Sequence, residues 1–184
     1  MIKLLLLDKD GTLISPKAGH KFVEHPADQK LIKGVAKTIA QYAAEGWTIA
    51  IVSNQGRCNT VNPDTGETYK KLEEAIDEMK FCMKLIPEVS RAMFCPDMKG
   101  VQAWEILQLP DHLGVFDCLK KRAGVQNSGL FRKPNPGMLL YTMQEIGAEA
   151  QDCLMVGDLE SDEAAALAAG VPFMYVGKWL NLSS

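Results

Sequence analysis

The sequence predicts an α/β fold: a mainly parallel sheet, doubly wound, with helices on both faces in a three-layer αβα sandwich. Three observations carry this. Unbroken apolar runs, IKLLLL at 2–7 and WTIAIVSN at 47–54, have the pattern of strands buried on both faces. Segments with helical periodicity separate such runs. Polar and acidic residues stand directly after the runs, where a parallel sheet binds its ligands.

In chain order, 2–7 is a strand that ends at Asp8. Residues 27–46 place Leu31, Val35, Ile39 and Tyr42 at helical spacing and close at Gly46, which predicts a helix. The strand at 47–54 follows, then a polar loop rich in Gly, Asn and Pro at 55–68. YKKLEEAIDEMKFCMKLIP (69–87) is an amphipathic helix that stops at a proline, with i,i+4 charge pairs on its solvated face. SRAMFCP (90–96) reads as a third strand. Residues 97–132 carry little periodicity, apart from LGVFDCLKKRAGV (113–125), which reads as a helix. PGMLLYTMQEIGA (136–148) is a helix with Pro136 suited to its first turn. DCLMVGD (152–158), LESDEAAALAAGV (159–171) and PFMYVG (172–177) are a strand, a helix and a last strand.

A chain of 184 residues without repeats or linkers is most simply one domain over 1–184. Apolar residues at 47% and charged residues at 23% are the balance of a globular protein rather than a disordered one. A net charge of −3 offers no field for a dedicated nucleic-acid binder. Five scattered cysteines without a C-x-x-C pair read as reduced, mostly core-filling thiols. The short N-terminal apolar run reaches Asp8 almost at once, so it reads as neither a signal peptide nor a span, and no later run approaches ~20 apolar residues. A cytoplasmic protein without membrane contact is expected; no feature sets an oligomeric state.

Parallel strands would gather Asp8, Asp10, Ser53, Asn54, Asp158 and Asp162 at one rim of the sheet, together with Lys133 from RKPNPG at 132–137. Singly, each has an ordinary reading. Asp-Gly is a common turn, Ser53 and Asn54 suit a loop start, Lys133 suits an exposed loop, and Asp158 can cap the next helix. Together they fit metal-assisted phosphoryl chemistry. Mg²⁺ takes a few carboxylates and fills its octahedron with water and phosphate oxygens. One carboxylate is then free to attack phosphorus, a second acid to move protons, and a lysine to hold phosphoryl oxygens.

DKDGTLI, VSNQG, FRKPNPGML and MVGDLESDEAAALAAG, in that order, resemble the four motifs of the haloacid dehalogenase (HAD) superfamily of phosphohydrolases. The resemblance implies a Rossmann-like fold, with Asp8 as nucleophile and Mg²⁺ ligand. Asp10 would be general acid and base and a ligand through its carbonyl. Ser53 and Asn54 would bind the phosphoryl group, Lys133 would neutralise nucleophile and phosphate, and Asp158 would complete the metal site. Asp162 would be a further acidic support for the metal, and Gly11 and Thr12 would shape the turn. SNQG and RKPNPGML are closer to the IIIA branch, that of histidinol-phosphate and heptose-bisphosphate phosphatases, and make Arg132 an additional phosphate contact.

Members of that branch usually lack a large cap, and only about 40 residues separate the first two motifs here. The stretch 97–131 remains available as a small lid. The branch often carries a structural zinc loop. Here Asp97 stands where its histidine belongs and the cysteine pair is missing, so no structural zinc is expected. The implied activity is Mg²⁺-dependent hydrolysis of a small phosphomonoester such as a sugar phosphate or histidinol phosphate. Two alternatives are a 3′-phosphatase acting on nucleic acid ends, disfavoured by the charge balance, and a catalytically silent binding protein. Ser15, Pro16, Lys17 and Arg57 flank the expected site and are candidate substrate contacts; His20, His25 and His112 read as surface residues.

Overall fold

A computed structural model describes residues 1–184 except 18, 20–22, 24, 57, 59, 110–113, 123–128 and 182–184. Its organising element is β1, Leu4–Leu7, whose four leucines are fully buried. Leu5 and Leu7 enter one apolar cluster and Leu4 and Leu6 the other, because successive strand side chains point to opposite faces. Both faces of β1 are therefore covered, which is why the run is apolar at every position.

The remaining strands are β2 (Ile14–Pro16), β3 (Gln29–Leu31), β4 (Thr48–Asn54), β5 (Val89–Cys95), β6 (Gln102–Gln108), β7 (Phe116–Arg122), β8 (Cys153–Gly157) and β9 (Phe173–Tyr175). The helices are α1 (Val35–Ala44), α2 (Leu72–Leu85), α3 (Gly137–Ile146), α4 (Glu160–Ala168) and α5 (Val176–Asn181). The main sheet runs β7-β6-β5-β4-β1-β8-β9. Its strands from β5 to β9 pair in parallel, and β6 and β7 extend it antiparallel. Val35 and Ile39 of α1, Met79 and Cys82 of α2, and Trp179 of α5 cover one face. Met138 and Leu139 of α3 and Ala165 and Ala166 of α4 cover the other. β1 lies between β4 and β8, so the strand order reverses at β1 and a crevice opens at the carboxyl ends of these three strands.

Two predicted helices are corrected. The helix expected over 27–46 begins only at Val35, because Gly34 sits at φ 96° and breaks the helical path. Gln29–Leu31 before it is β3, paired antiparallel with β2. The helix expected over 113–125 is instead β7, whose seven residues pair with β6 from Phe116↔Gln108 to Arg122↔Gln102. Tertiary pairing overrides local propensity there. β6 escaped sequence reading because buried Glu105 interrupts its apolar pattern; it pairs with Arg91 of β5 and, at 3.1 Å, with Lys121 of β7. Much of the stretch considered for a lid is thus a hairpin of the main sheet.

Among the described residues between β1 and α1 only the short β2–β3 hairpin forms, so no large cap is inserted there. Asp97 closes the loop after β5 by itself. Its carboxylate accepts the backbone N–H groups of Lys99 at 2.9 Å, Val101 at 3.2 Å and Gln102 at 3.0 Å. Among the described residues no helix is long and apolar enough to cross a membrane.

Candidate active site

β1 carries Asp8 to the rim, and the Asp8 N–H donates to Val156 O of β8 at 3.0 Å, continuing the ladder to the last residue before the turn. The chain then folds back sharply: the N–H groups of Leu13 and Ile14 both donate to Lys9 O, at 2.9 and 3.1 Å. Gly11 makes this possible at φ 86°. A Cβ at this position would collide with the Asp158 carboxylate. Gly11→Ala is therefore expected to lower stability by about 1–3 kcal/mol through backbone strain and to weaken divalent-cation binding by displacing Asp158. Urea unfolding and Mg²⁺ titration by calorimetry check the two effects separately.

Lys133 is the hub of the site. Its ammonium donates to Asp8 Oδ1 at 2.7 Å and to Val52 O at 2.9 Å, and pairs with Asp162 Oδ1 at 2.6 Å. Asn54 of β4 fixes the backbone behind it. The Asn54 amide donates to Lys133 O at 2.9 Å and accepts the Lys133 N–H at 3.0 Å. Both ends of the Asn54 side chain are thus committed to Lys133.

Asp158 follows β8 and accepts the Thr12 hydroxyl at 3.4 Å. Asp162 sits in the first turn of α4, where its Oδ2 accepts the Leu159 N–H at 3.1 Å, satisfying an open donor of the helix start. Asp8, Asp158 and Asp162 each offer a carboxylate oxygen within 4.8 Å of the others.

Three carboxylates face one ammonium here, and the electrostatics follow. Burial pushes the Asp8 carboxyl up to about 7, against the lowering pull of Lys133. Burial opposes the charge of Lys133, but Asp8 and Asp162 outweigh it and hold the ammonium above the usual lysine range. Burial and the neighbouring Asp162 raise Asp158 as well. A cluster of hard oxygen donors with surplus negative charge fits a small divalent cation such as Mg²⁺.

Asp10 stands apart from this triplet. Its Oδ1 accepts Lys9 Nζ at 2.7 Å and its Oδ2 accepts Gln55 Nε2. Gln55 Nε2 also reaches the Ser53 hydroxyl at 3.1 Å. Burial works against the charge of Lys9, while Asp10, with smaller contributions from Cys82 and Glu78, outweighs it and raises the ammonium above the usual lysine range. Leu159 and Ser161 join Asp8, Asp10, Ser53, Asn54, Lys133 and Asp162 around the cleft.

Arg132 is not among the residues lining that cleft. Its guanidinium lies against Gly56, where a Cβ would come within 2.8 Å of Nη1, and Nη1 is buried without a hydrogen bond among the described residues. Lys17 donates to Ala27 O at 2.7 Å, and His25 Nδ1 accepts the Ala27 N–H at 3.1 Å. Arg57, His20 and His112 lie outside the described residues. Cys82, Cys95 and Cys153 are buried and Cys58 and Cys118 half-buried. Burial pushes Cys58, Cys95 and Cys153 up to about 11 and Cys82 up to about 12, so these four are neutral thiols near pH 7.

Lys9, Gln55, Leu159 and Ser161 were not singled out from sequence. All four lie inside the recognised motifs, so the signal was present there, but no motif role attached to them.

The family match and the phosphatase relatives, on a sheet of this order, place the chain among the phosphohydrolases of the HAD superfamily, of the IIIA branch, and hence among the phosphoric monoester hydrolases by class. The chain belongs to the polynucleotide kinase 3 phosphatase family, whose profile matches residues 3–170. It is 27% identical over 168 residues to D-glycero-beta-D-manno-heptose-1,7-bisphosphate 7-phosphatase of Photorhabdus laumondii, covering 91% of this chain and 76% of that protein. It is 27% identical over 178 residues to the histidine biosynthesis bifunctional protein HisB of Legionella pneumophila, covering 97% of this chain but only 42% of that longer protein. The fold matches a crystal structure of D,D-heptose 1.7-bisphosphate phosphatase from B. bronchiseptica, itself complexed with magnesium and phosphate. That match has a TM-score of 0.63 and 19% identity, and covers 100% of this chain and 87% of the other.

Proposed function

We propose that this protein is a Mg²⁺-dependent phosphatase that hydrolyses a small phosphomonoester through an aspartyl-phosphate on Asp8. The observation that carries the reading is the Lys133 ammonium, 2.7 Å from Asp8 and 2.6 Å from Asp162, beside a third carboxylate at the end of β8. Asp8 and Asp158, with the carbonyl of Asp10, would hold the cation. Asp162, both of whose oxygens already accept protein partners, would support the site through Lys133. Bound there, Mg²⁺ supplies positive charge to phosphoryl oxygens and offsets the repulsion among the acids.

The protein's own groups divide the remaining work. An Asp8 oxygen attacks phosphorus while the bond to the leaving oxygen breaks, and Asp10 gives that oxygen a proton. Water then attacks the aspartyl-phosphate, its proton passing to Asp10, and phosphate leaves with Asp8 restored. Lys133, the Ser53 hydroxyl and the backbone N–H beyond it would hold the phosphoryl oxygens as charge moves. Asn54 serves through Lys133, since its amide is occupied there.

The branch resemblance, the heptose-bisphosphate phosphatase relative and the histidine-biosynthesis relative favour a sugar phosphate or a histidinol-phosphate-like substrate. The family match favours a second reading, a 3′-phosphorylated nucleic acid end, against which the net charge of −3 counts. A panel of sugar phosphates, histidinol phosphate and 3′-phosphorylated oligonucleotides, assayed with Mg²⁺ and with EDTA, tests both. Mg²⁺-dependent release of phosphate from a small ester supports the first reading. Turnover confined to oligonucleotide ends selects the second, and turnover that persists undiminished in EDTA contradicts the metal assignment.

A further inference from the structure

We propose that Lys9 is a positioning residue for proton transfer: it holds the Asp10 side chain in the orientation from which its carboxyl form protonates the leaving oxygen and its carboxylate form takes the proton of the attacking water. The inference rests on the proposed role of Asp10 as acid and base.

Lys9 follows Asp8 by one residue, in the bend after β1, and its side chain lies close to Glu78 and Cys82 of α2. It is fully buried, at 0% exposure. A lysine so placed is rare unless paired, because burial of an isolated ammonium is costly. Its Nζ turns back to Asp10 Oδ1 at 2.7 Å. The other oxygen of Asp10 accepts the amide of Gln55 from the end of β4. Two donors from two strand ends thus fix a carboxylate whose side chain is otherwise 46% exposed and free to swing toward solvent.

Among the described residues Lys9 has no competing close partner. The buried Glu78 of α2 is itself paired with Lys70 at 2.7 Å, and its carbonyl accepts Gln29 Nε2 at 2.9 Å. Glu78 contributes to the field at Lys9 but forms no ion pair with it among the described contacts. The Cys82 thiol nearby is neutral. The charge of Lys9 is therefore directed at Asp10, and no atom of Lys9 need touch the substrate.

The step concerned is balanced within the proposed cycle. As the Asp8–phosphorus bond forms and the phosphorus–oxygen bond of the ester breaks, the proton moves from the Asp10 carboxyl to the departing alkoxide. The attacking water returns a proton to Asp10 in the second half. An aryloxide such as p-nitrophenolate departs without that proton, whereas an alkoxide requires it. The parameter kcat/KM reports only the steps through release of the alcohol, so its ratio between p-nitrophenyl phosphate and glycerol 2-phosphate isolates the proton donation.

General acid catalysis contributes roughly 10²–10⁴-fold, so Asp10→Asn is expected to raise this aryl-to-alkyl ratio about 100-fold. Lys9→Met, of similar length without charge, is expected to raise it about tenfold, a part of the same contribution. Both substrates are assayed on one preparation, so any loss of folded protein cancels from the ratio. If Lys9→Met yields no folded protein, Lys9→Gln decides the matter, with an expected increase of about threefold. A ratio within about twofold of wild type in the folded Lys9 variant, with Asp10→Asn raised, overturns the role of Lys9 alone. A flat ratio in Asp10→Asn overturns the assignment of Asp10 and this inference with it.

Discussion

Replacing Asp8 by asparagine is expected to lower kcat/KM by on the order of 10⁴-fold or more, the scale on which loss of a nucleophile acts in covalent catalysis. The amide matches the carboxylate in shape but cannot form the acyl-phosphate. Folding is expected to survive intact. Asp8 is a buried acid whose ionised form is penalised by burial and by Asp162, so removing its charge relieves repulsion in the cation-free protein even as it costs the contact with Lys133. Urea unfolding in EDTA should therefore show Asp8→Asn no less stable than wild type by more than about 1 kcal/mol, a pattern of function held at the expense of stability. Equal activity of the two proteins on the same Mg²⁺-dependent substrate would remove Asp8 from the mechanism.

Lys133→Met is expected to damage both activity and fold. Its ammonium is the positive partner of Asp8 and Asp162 at 2.7 and 2.6 Å, with its side chain 1% exposed. Removing one member of a buried ion pair strands the other, and the cost is about 3–5 kcal/mol. Activity is expected to fall by roughly 10²–10³-fold, the loss seen when a donor to developing phosphoryl or oxyanion charge is deleted. The structural part has its own signature. Mg²⁺ should raise the unfolding midpoint of Lys133→Met more than that of wild type, because the variant has a larger uncompensated negative charge. A wild-type response to Mg²⁺ together with wild-type stability would show that Lys133 is not the hub described here.

The centre of the fold was legible because its physics is local. Strands buried on both faces have no polar positions to hide, so β1, β4 and β8 could be read as runs, with Asp8 directly after β1, Asp158 directly after β8 and Ser53 and Asn54 closing β4. The edge was not legible for the opposite reason. β6 carries Glu105 inward because Arg91 and Lys121 come to it from neighbouring strands, and no sequence window contains all three. The helix expected at 113–125 failed in the same way: β7 forms because a seven-residue partner is available in β6. At the N-terminal side, the apolar spacing through Leu31 and Val35 looked helical, but Gly34 at φ 96° divides the segment.

The candidate site shows the same division. Asp8, Asp10, Ser53, Asn54 and Asp158 could be placed from strand ends, whereas Lys133 could be placed only through the order of the motifs, since it reaches Asp8 across 125 positions of sequence. What Asn54 does with its amide was beyond reach of the sequence, because its partner is the backbone of Lys133, 79 positions away. Lys9 lies between the two most conspicuous acids of the chain, yet its importance emerges only with its burial and its 2.7 Å contact to Asp10.

The central claim, an aspartyl-phosphate on Asp8, is open to direct chemical trapping. In Asp10→Asn the attack on an aryl phosphate needs no proton donor, while attack of water on the acyl-phosphate lacks its base, so the intermediate should accumulate. The variant is mixed with Mg²⁺ and p-nitrophenyl phosphate, quenched in acid and reduced with borohydride, which converts an aspartyl-phosphate to homoserine, and its peptides are mapped by mass spectrometry. The account expects a burst of nitrophenol matched by homoserine at position 8. A burst with Asp8 unmodified, or with the modification on another residue, would contradict it.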